Sequence, residues 1–167
     1  MRTQVLTAIL VALLQAVAFG EPNFSGTWVR DGAKSDVVPN TMYWLTRGVE
    51  AGGGRGRNTQ LVVEIQQAAG RIEITDPARP PRTLWLDGKP HSVPTDTGLQ
   101  TSTVTAKVMG ETLTVSTAQP FGGMPGNSML NVTETWSVSP DGQVLTVRTE
   151  RELPALRQTF TEIFNRK

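Results

Sequence analysis

Hydrophobic and polar positions alternate with a period of two along most of the chain beyond residue 60. Leu61, Val63 and Ile65 alternate with Val62, Glu64 and Gln66, and Ile72 and Ile74 with Arg71, Glu73 and Thr75. Leu84 and Leu86 flank Trp85. The same rhythm runs through Val104-Ala106-Val108, Leu113-Val115, Leu130-Val132-Glu134-Trp136-Val138, Leu145-Val147-Thr149 and Gln158-Phe160-Glu162-Phe164. Such alternation predicts strands with one buried and one wet face. Thr fills many of the polar positions, and its β-branched side chain suits a pleated surface. Ala69-Gly70, Met109-Gly110-Glu111 and Ser139-Pro140-Asp141-Gly142 lie between alternating runs and predict hairpin turns. With Phe24–Arg30 as a first strand, the pattern predicts about nine short strands joined mostly in sequence order. A meander of this kind closes most simply into an up-and-down barrel, which removes its exposed edges. A sandwich is the alternative.

Two segments break the rhythm. Residues 31–59 form a long connection with Met42, Tyr43, Trp44 and Leu45 in its middle and Gly52–Arg57 (GGGRGR) near its end. A connection of that length suggests a lid or a short helix, which Thr41 would cap. Residues 119–128 read as a second Gly/Pro-rich loop carrying Phe121 and Met124.

Composition sharpens this picture. Met1–Gly20 has a charged start at Arg2, a short apolar stretch from Val5 to Leu14, and small residues at Ala16 and Ala18. That is the pattern of a secretory signal peptide, cleaved after Ala18 or Gly20, and the apolar run is too short to span a bilayer. The expected organisation is a signal peptide at 1–20 and one domain at 21–167, in a secreted or periplasmic protein. No later segment is apolar for long enough to cross a membrane. Without residues 1–20 the chain is neutral, and only roughly a third of it is apolar. That shortage favours a thin-walled barrel over a solid helical core.

Charge and residue counts exclude several chemistries. A net charge of +1 offers no basic face for nucleic acid. The chain has no Cys and one His, so disulfides, thiolate metal sites and multi-His metal sites are absent. His91, between Pro90 and Pro94, has Asp87, Ser92 and Asp96 nearby in sequence, but no nucleophile-elbow motif accompanies it. It reads as an exposed loop residue, and a haem ligand role has no support beyond the residue type. The two arginines of Gly52–Arg57 lack the strand, helix and Lys of a phosphate-binding loop. Asn23-Phe24-Ser25 and Asn131-Val132-Thr133 match the N-glycosylation pattern but are not expected to be used. No cofactor, metal or catalytic residue set is expected, so the chain does not read as an enzyme.

The opening Asn23-Phe24-Ser25-Gly26-Thr27-Trp28 resembles the Gly-x-Trp start of the lipocalin and fatty-acid-binding (calycin) barrels. Together with Lys34-Ser35 and Thr135–Val147, it is also similar to a group of uncharacterised secreted bacterial proteins. The resemblance implies a lipocalin-like up-and-down antiparallel barrel of eight or nine strands. It also implies that Trp28 plugs one barrel end and that Gly26 admits a close backbone approach there. Two departures limit what it implies about ligands. Fatty-acid-binding proteins hold the ligand carboxylate with an Arg-x-Tyr pair in the last strand, where this chain has Glu162-Ile163-Phe164. The usual lipocalin disulfide and central-loop motif are also missing.

The polar residues on apolar faces are the candidate site. Centring the hairpin of residues 128–151 on Pro140-Asp141 sets Glu134 opposite Val147 and Trp136 opposite Leu145. Centring the last hairpin on Leu153-Pro154 sets Phe160 near Val147 and Glu162 near Leu145. Parity turns Glu134, Glu162, Gln158 and Thr149 inward, with Arg151 at one end. A buried carboxylate is costly unless paired or protonated. The patch therefore reads as a ligand-orienting set, an internal salt bridge to Arg151, water near a barrel mouth, or a parity slip at a bulge. The expected function is non-catalytic binding of a small, largely apolar ligand. Its contacts would be Met42, Tyr43, Trp44, Leu45, Glu134, Trp136, Phe160 and Glu162. The alternative is an envelope- or protein-interaction module with a filled barrel, and loop 42–45 equally suits a helix packed over a barrel end.

Overall fold

The computed structural model describes residues 21–36, 61–75, 81–94, 101–120, 129–153 and 156–167. These form ten strands: β1 (Gly26–Arg30), β2 (Val62–Ala68), β3 (Arg71–Thr75), β4 (Arg82–Trp85), β5 (His91–Pro94), β6 (Thr101–Met109), β7 (Thr112–Pro120), β8 (Met129–Val138), β9 (Val144–Leu153) and β10 (Leu156–Arg166). They make a single antiparallel sheet in the order β4-β3-β2-β1-β10-β9-β8-β7-β6-β5. The chain thus meanders, and its two ends meet where β1 pairs with β10. The sheet curls into a nearly closed barrel. Among the described residues no ladder joins β4 to β5, and this seam is the one place where the sheet does not close on itself by backbone pairing.

Alternation carried the inward faces correctly. Val63, Ile65, Ile72, Ile74, Leu113, Val115, Leu145, Val147 and Phe164 are all buried, with their polar neighbours turned outward. The strand count is ten instead of eight or nine because His91–Pro94 pairs with β6, through His91↔Val104 and Val93↔Ser102. His91 is therefore a strand residue, not a loop residue. A four-residue strand flanked by prolines carries too little alternation to stand out. Likewise β7 runs on through Pro120, so Gln119 belongs to a strand and not to the following loop.

Register differs from expectation by two residues in both late hairpins. Glu134 faces Thr149 and Trp136 faces Val147. Phe160 faces Thr149 and Glu162 faces Val147. The first shift comes from the turn. Ser139 N–H donates to Val144 O at 2.8 Å, so Pro140–Gln143 form the loop, with Gly142 at φ +71° closing it. That left-handed backbone suits Gly and lengthens the connection beyond a two-residue turn. Because the slip is even, every side chain keeps its face.

Large side chains gather at one end of the barrel, here called the base. Phe24, Trp28, Trp136 and Phe164 are fully buried there. Trp28 Nε1 donates to Phe24 O at 2.9 Å, and Phe24 meets the Trp136 ring edge-on at 6.1 Å. Arg166, from the last strand, lies over the Trp28 ring at 4.4 Å and donates to Ser25 O and Gly142 O, each at 2.6 Å. Gly26 has φ +147°, and a Cβ there would run into the Arg166 guanidinium. The opposite end, the mouth, is where β1–β2, β3–β4, β5–β6, β7–β8 and β9–β10 are joined. Residues 1–20 and loop 42–45, with the lid, helix and signal-peptide expectations attached to them, lie outside the described residues.

Candidate functional site

Successive rows of inward side chains on β6–β10 change character from base to mouth. Phe164 and Leu145 form an apolar row. The next row holds Glu162, Val147, Trp136 and Leu113. Above it lie Phe160, Thr149, Glu134, Val115 and Ala106. Then come Gln158, Arg151, Val132, Thr117 and Val104. Nearest the mouth, Leu130 faces Gln119, whose amide oxygen accepts from Ser102 Oγ at 3.5 Å. Ser102, Thr117, Gln119, Glu134, Thr149, Arg151 and Glu162 are all buried. Four of the proposed contacts, Glu134, Trp136, Phe160 and Glu162, therefore share one inner wall. Gln158, expected alongside them, is only partly buried. The other four, Met42, Tyr43, Trp44 and Leu45, fall outside the described residues.

The buried charges have specific neighbours. Glu162 Oε1 accepts from Arg30 Nε at 2.8 Å, with the Glu162 side chain 2% exposed and the Arg30 side chain 24%. Arg30 also donates through Nη2 to Asp36 O at 3.0 Å. Glu134 Oε2 accepts from Trp136 Nε1 at 3.2 Å. The Arg151 guanidinium lies 6.0 Å from the Phe160 ring centre, a cation–π arrangement. Sequence reasoning did not name Arg30, Ser102, Thr117 or Gln119. Arg30 was accessible to it by parity, since Arg30 shares a strand face with Trp28.

Arg30 can reach inward because the chain after β1 stays beside β10. Asp31 N–H donates to Ile163 O at 2.8 Å and Asp36 N–H to Thr161 O at 2.8 Å. Ser35 Oγ accepts from Ile163 N–H at 2.9 Å and donates to Asp31 O at 2.7 Å, which gives the Lys34-Ser35 pair a structural task. The Asp31 carboxyl is held below its ordinary value by the Asn165 amide, with further hydrogen bonds from Lys34 and Ala33.

A second polar cluster sits at the seam. Trp85 stacks on His91 at 4.5 Å, and His91 Nε2 contacts both oxygens of Asp87 at 3.0 and 3.1 Å. Hydrogen bonds from the Lys89 N–H and from His91 keep the Asp87 carboxyl below its ordinary value. Gly88 N–H donates to Ala106 O, fastening this turn onto β6. Trp85 thus sits outside the barrel, 36% exposed, and does not fill its interior. Among the described residues no three His, Asp or Glu side chains are grouped to hold a metal, and no helix is long and apolar enough to cross a membrane.

No family model and no curated protein matches the chain. Several chains of solved structures do. One of them is the Echinococcus granulosus fatty-acid-binding protein 1, at 10% identity and a TM-score of 0.47, with 86% of this chain and 96% of that one covered. A likeness at that level carries no assignment, and the barrel described above stands on its own strand order.

Proposed function

We propose that this barrel binds a small, largely apolar molecule without transforming it, in the half of its interior between Trp136 and the mouth. The observation that carries the reading is the run of six buried polar side chains there, with Glu162 a seventh at its lower boundary. Buried ion pairs seldom stabilise a fold better than apolar residues of the same size. A barrel needing only a core would fill this half as it fills the base. Ten strands also enclose more width than the eight whose side chains just fill a barrel. Phe160, Leu130 and Val132 supply apolar wall beside the polar groups. The signal-peptide pattern at 1–20 supports a secreted or periplasmic setting for this binding.

Native mass spectrometry of the protein purified from its own host tests the reading. A co-purifying small molecule that is lost from Glu134→Leu and Glu162→Leu variants is the expected result. If no small molecule is retained, and both variants are more stable than the parent, the barrel is filled and the loops carry the function.

A further inference from the structure

The charges on the inner wall restrict what the ligand carries. Glu134, Arg151 and Glu162 are buried, and Arg30 reaches Glu162 from β1. Two carboxylates and two guanidiniums thus belong to this wall, and the formal charges of these four groups cancel. Glu134 and Arg151 stand on neighbouring strands, since Glu134 faces Thr149 and Arg151 lies two residues further along the same face. That diagonal spacing is within reach of long side chains. Two further ionisable groups occupy positions of inward parity on other strands. Arg82, opposite Ile74 on β3, is only partly buried at the mouth end of β4. His91, opposite Val104, is drawn to the seam instead, where it stacks on Trp85 and contacts Asp87.

Resting on the ligand-binding reading above, we infer that the ligand presents an uncharged hydrogen-bonding group to this wall, such as an amide, hydroxyl or ester. An added carboxylate or ammonium upsets a balanced set where solvent cannot compensate it. An uncharged group leaves the balance intact. The side chains beside the charges fit that partner. The hydroxyls of Ser102, Thr117 and Thr149 and the amide of Gln119 both donate and accept, so they satisfy a neutral polar group in either sense. Glu134 and Arg151 are then specificity-determining residues, which reject charged congeners by their mutual balance.

Three probes of matched chain length separate the possibilities: palmitamide, palmitate and hexadecylamine, each titrated into the full chain by calorimetry. Palmitamide is expected to bind at least about tenfold tighter than either charged probe. Glu134→Gln removes a negative charge and is expected to raise the relative affinity for palmitate. Arg151→Gln is expected to raise that for hexadecylamine. Opposite shifts of this kind cannot come from general loosening of the barrel. If either variant fails to fold by thermal melting, Glu162→Gln, whose partner Arg30 is partly exposed, serves as the palmitate-shifting variant. Equal or tighter binding of a charged probe by the parent overturns this inference and leaves the ligand-binding reading standing, as do variant shifts that run parallel for all three probes. Absence of binding by every probe overturns both.

Discussion

The two halves of the barrel interior are built from the same strands and solve burial differently. At the base, Trp28, Trp136, Phe24 and Phe164 interlock, and the polar atoms they carry are satisfied locally. Toward the mouth, the same inward positions hold Thr117, Gln119, Glu134, Thr149 and Arg151. The base is what an apolar-poor chain must do to fold, concentrating its few large side chains at one point. The mouth half mixes smaller apolar side chains such as Leu130 and Val132 with these polar ones, and the proposed function assigns it to recognition. On the proposed function, stability and binding divide along the barrel axis, with Glu162 and the Glu134–Trp136 hydrogen bond at the boundary.

The largest way to break this contrast is at the base. Trp136→Ala removes a fully buried ring and leaves a cavity, and is expected to cost about 3–5 kcal/mol in denaturant melts. An equal cost for Val132→Ala, in the mouth half, would mean that both halves are packed alike. Val132→Ala is instead expected to cost about half as much or less. At the boundary, Glu162→Leu leaves the Arg30 guanidinium without its carboxylate. Because Arg30 is partly exposed, the expected loss is about 1–3 kcal/mol, and Arg30→Met added to it should recover most of that. Gly26→Ala tests the plug itself. Its strained φ and the clash with Arg166 are expected to cost about 1–3 kcal/mol, while Gly32→Ala, on the exposed turn after β1, should cost much less.

The smallest effect concerns pH. Asp31, Asp87 and Asp141 have carboxyls held below their ordinary value, Asp31 chiefly by Asn165, Asp87 by the Lys89 N–H and Asp141 by the Ser139 hydroxyl. Groups lowered on folding add stability that is complete above the unfolded value of 3.8 and is lost as pH falls through the folded value. Melting temperature is therefore expected to fall on acidification below about pH 4, and the fall should be shallower in Asp31→Asn. An unchanged acid profile in that variant would remove the turn after β1 from the groups that stabilise the barrel.

Much of the fold was legible from single residues. Leu130-Val132-Glu134-Trp136-Val138 announced one inward face of β8, and Glu134 and Glu162 announced themselves as carboxylates on apolar faces. Arg30 escaped notice as a partner because 132 positions separate it from Glu162. Gln119 escaped because a following Pro/Gly-rich stretch masked the end of its strand. His91–Pro94 escaped because its pairing depends on β6 and not on its own composition.

What the sequence determined by itself is parity: which residues face in, since a strand's side chains alternate whatever it pairs with. Register, the seam and the company each inward residue keeps were decided only in three dimensions. A two-residue change in hairpin register leaves parity untouched yet moves Glu134 from Val147 to Thr149. It is fixed by loop length and by Gly142's backbone, and closure of the barrel alone brings Arg30 to Glu162.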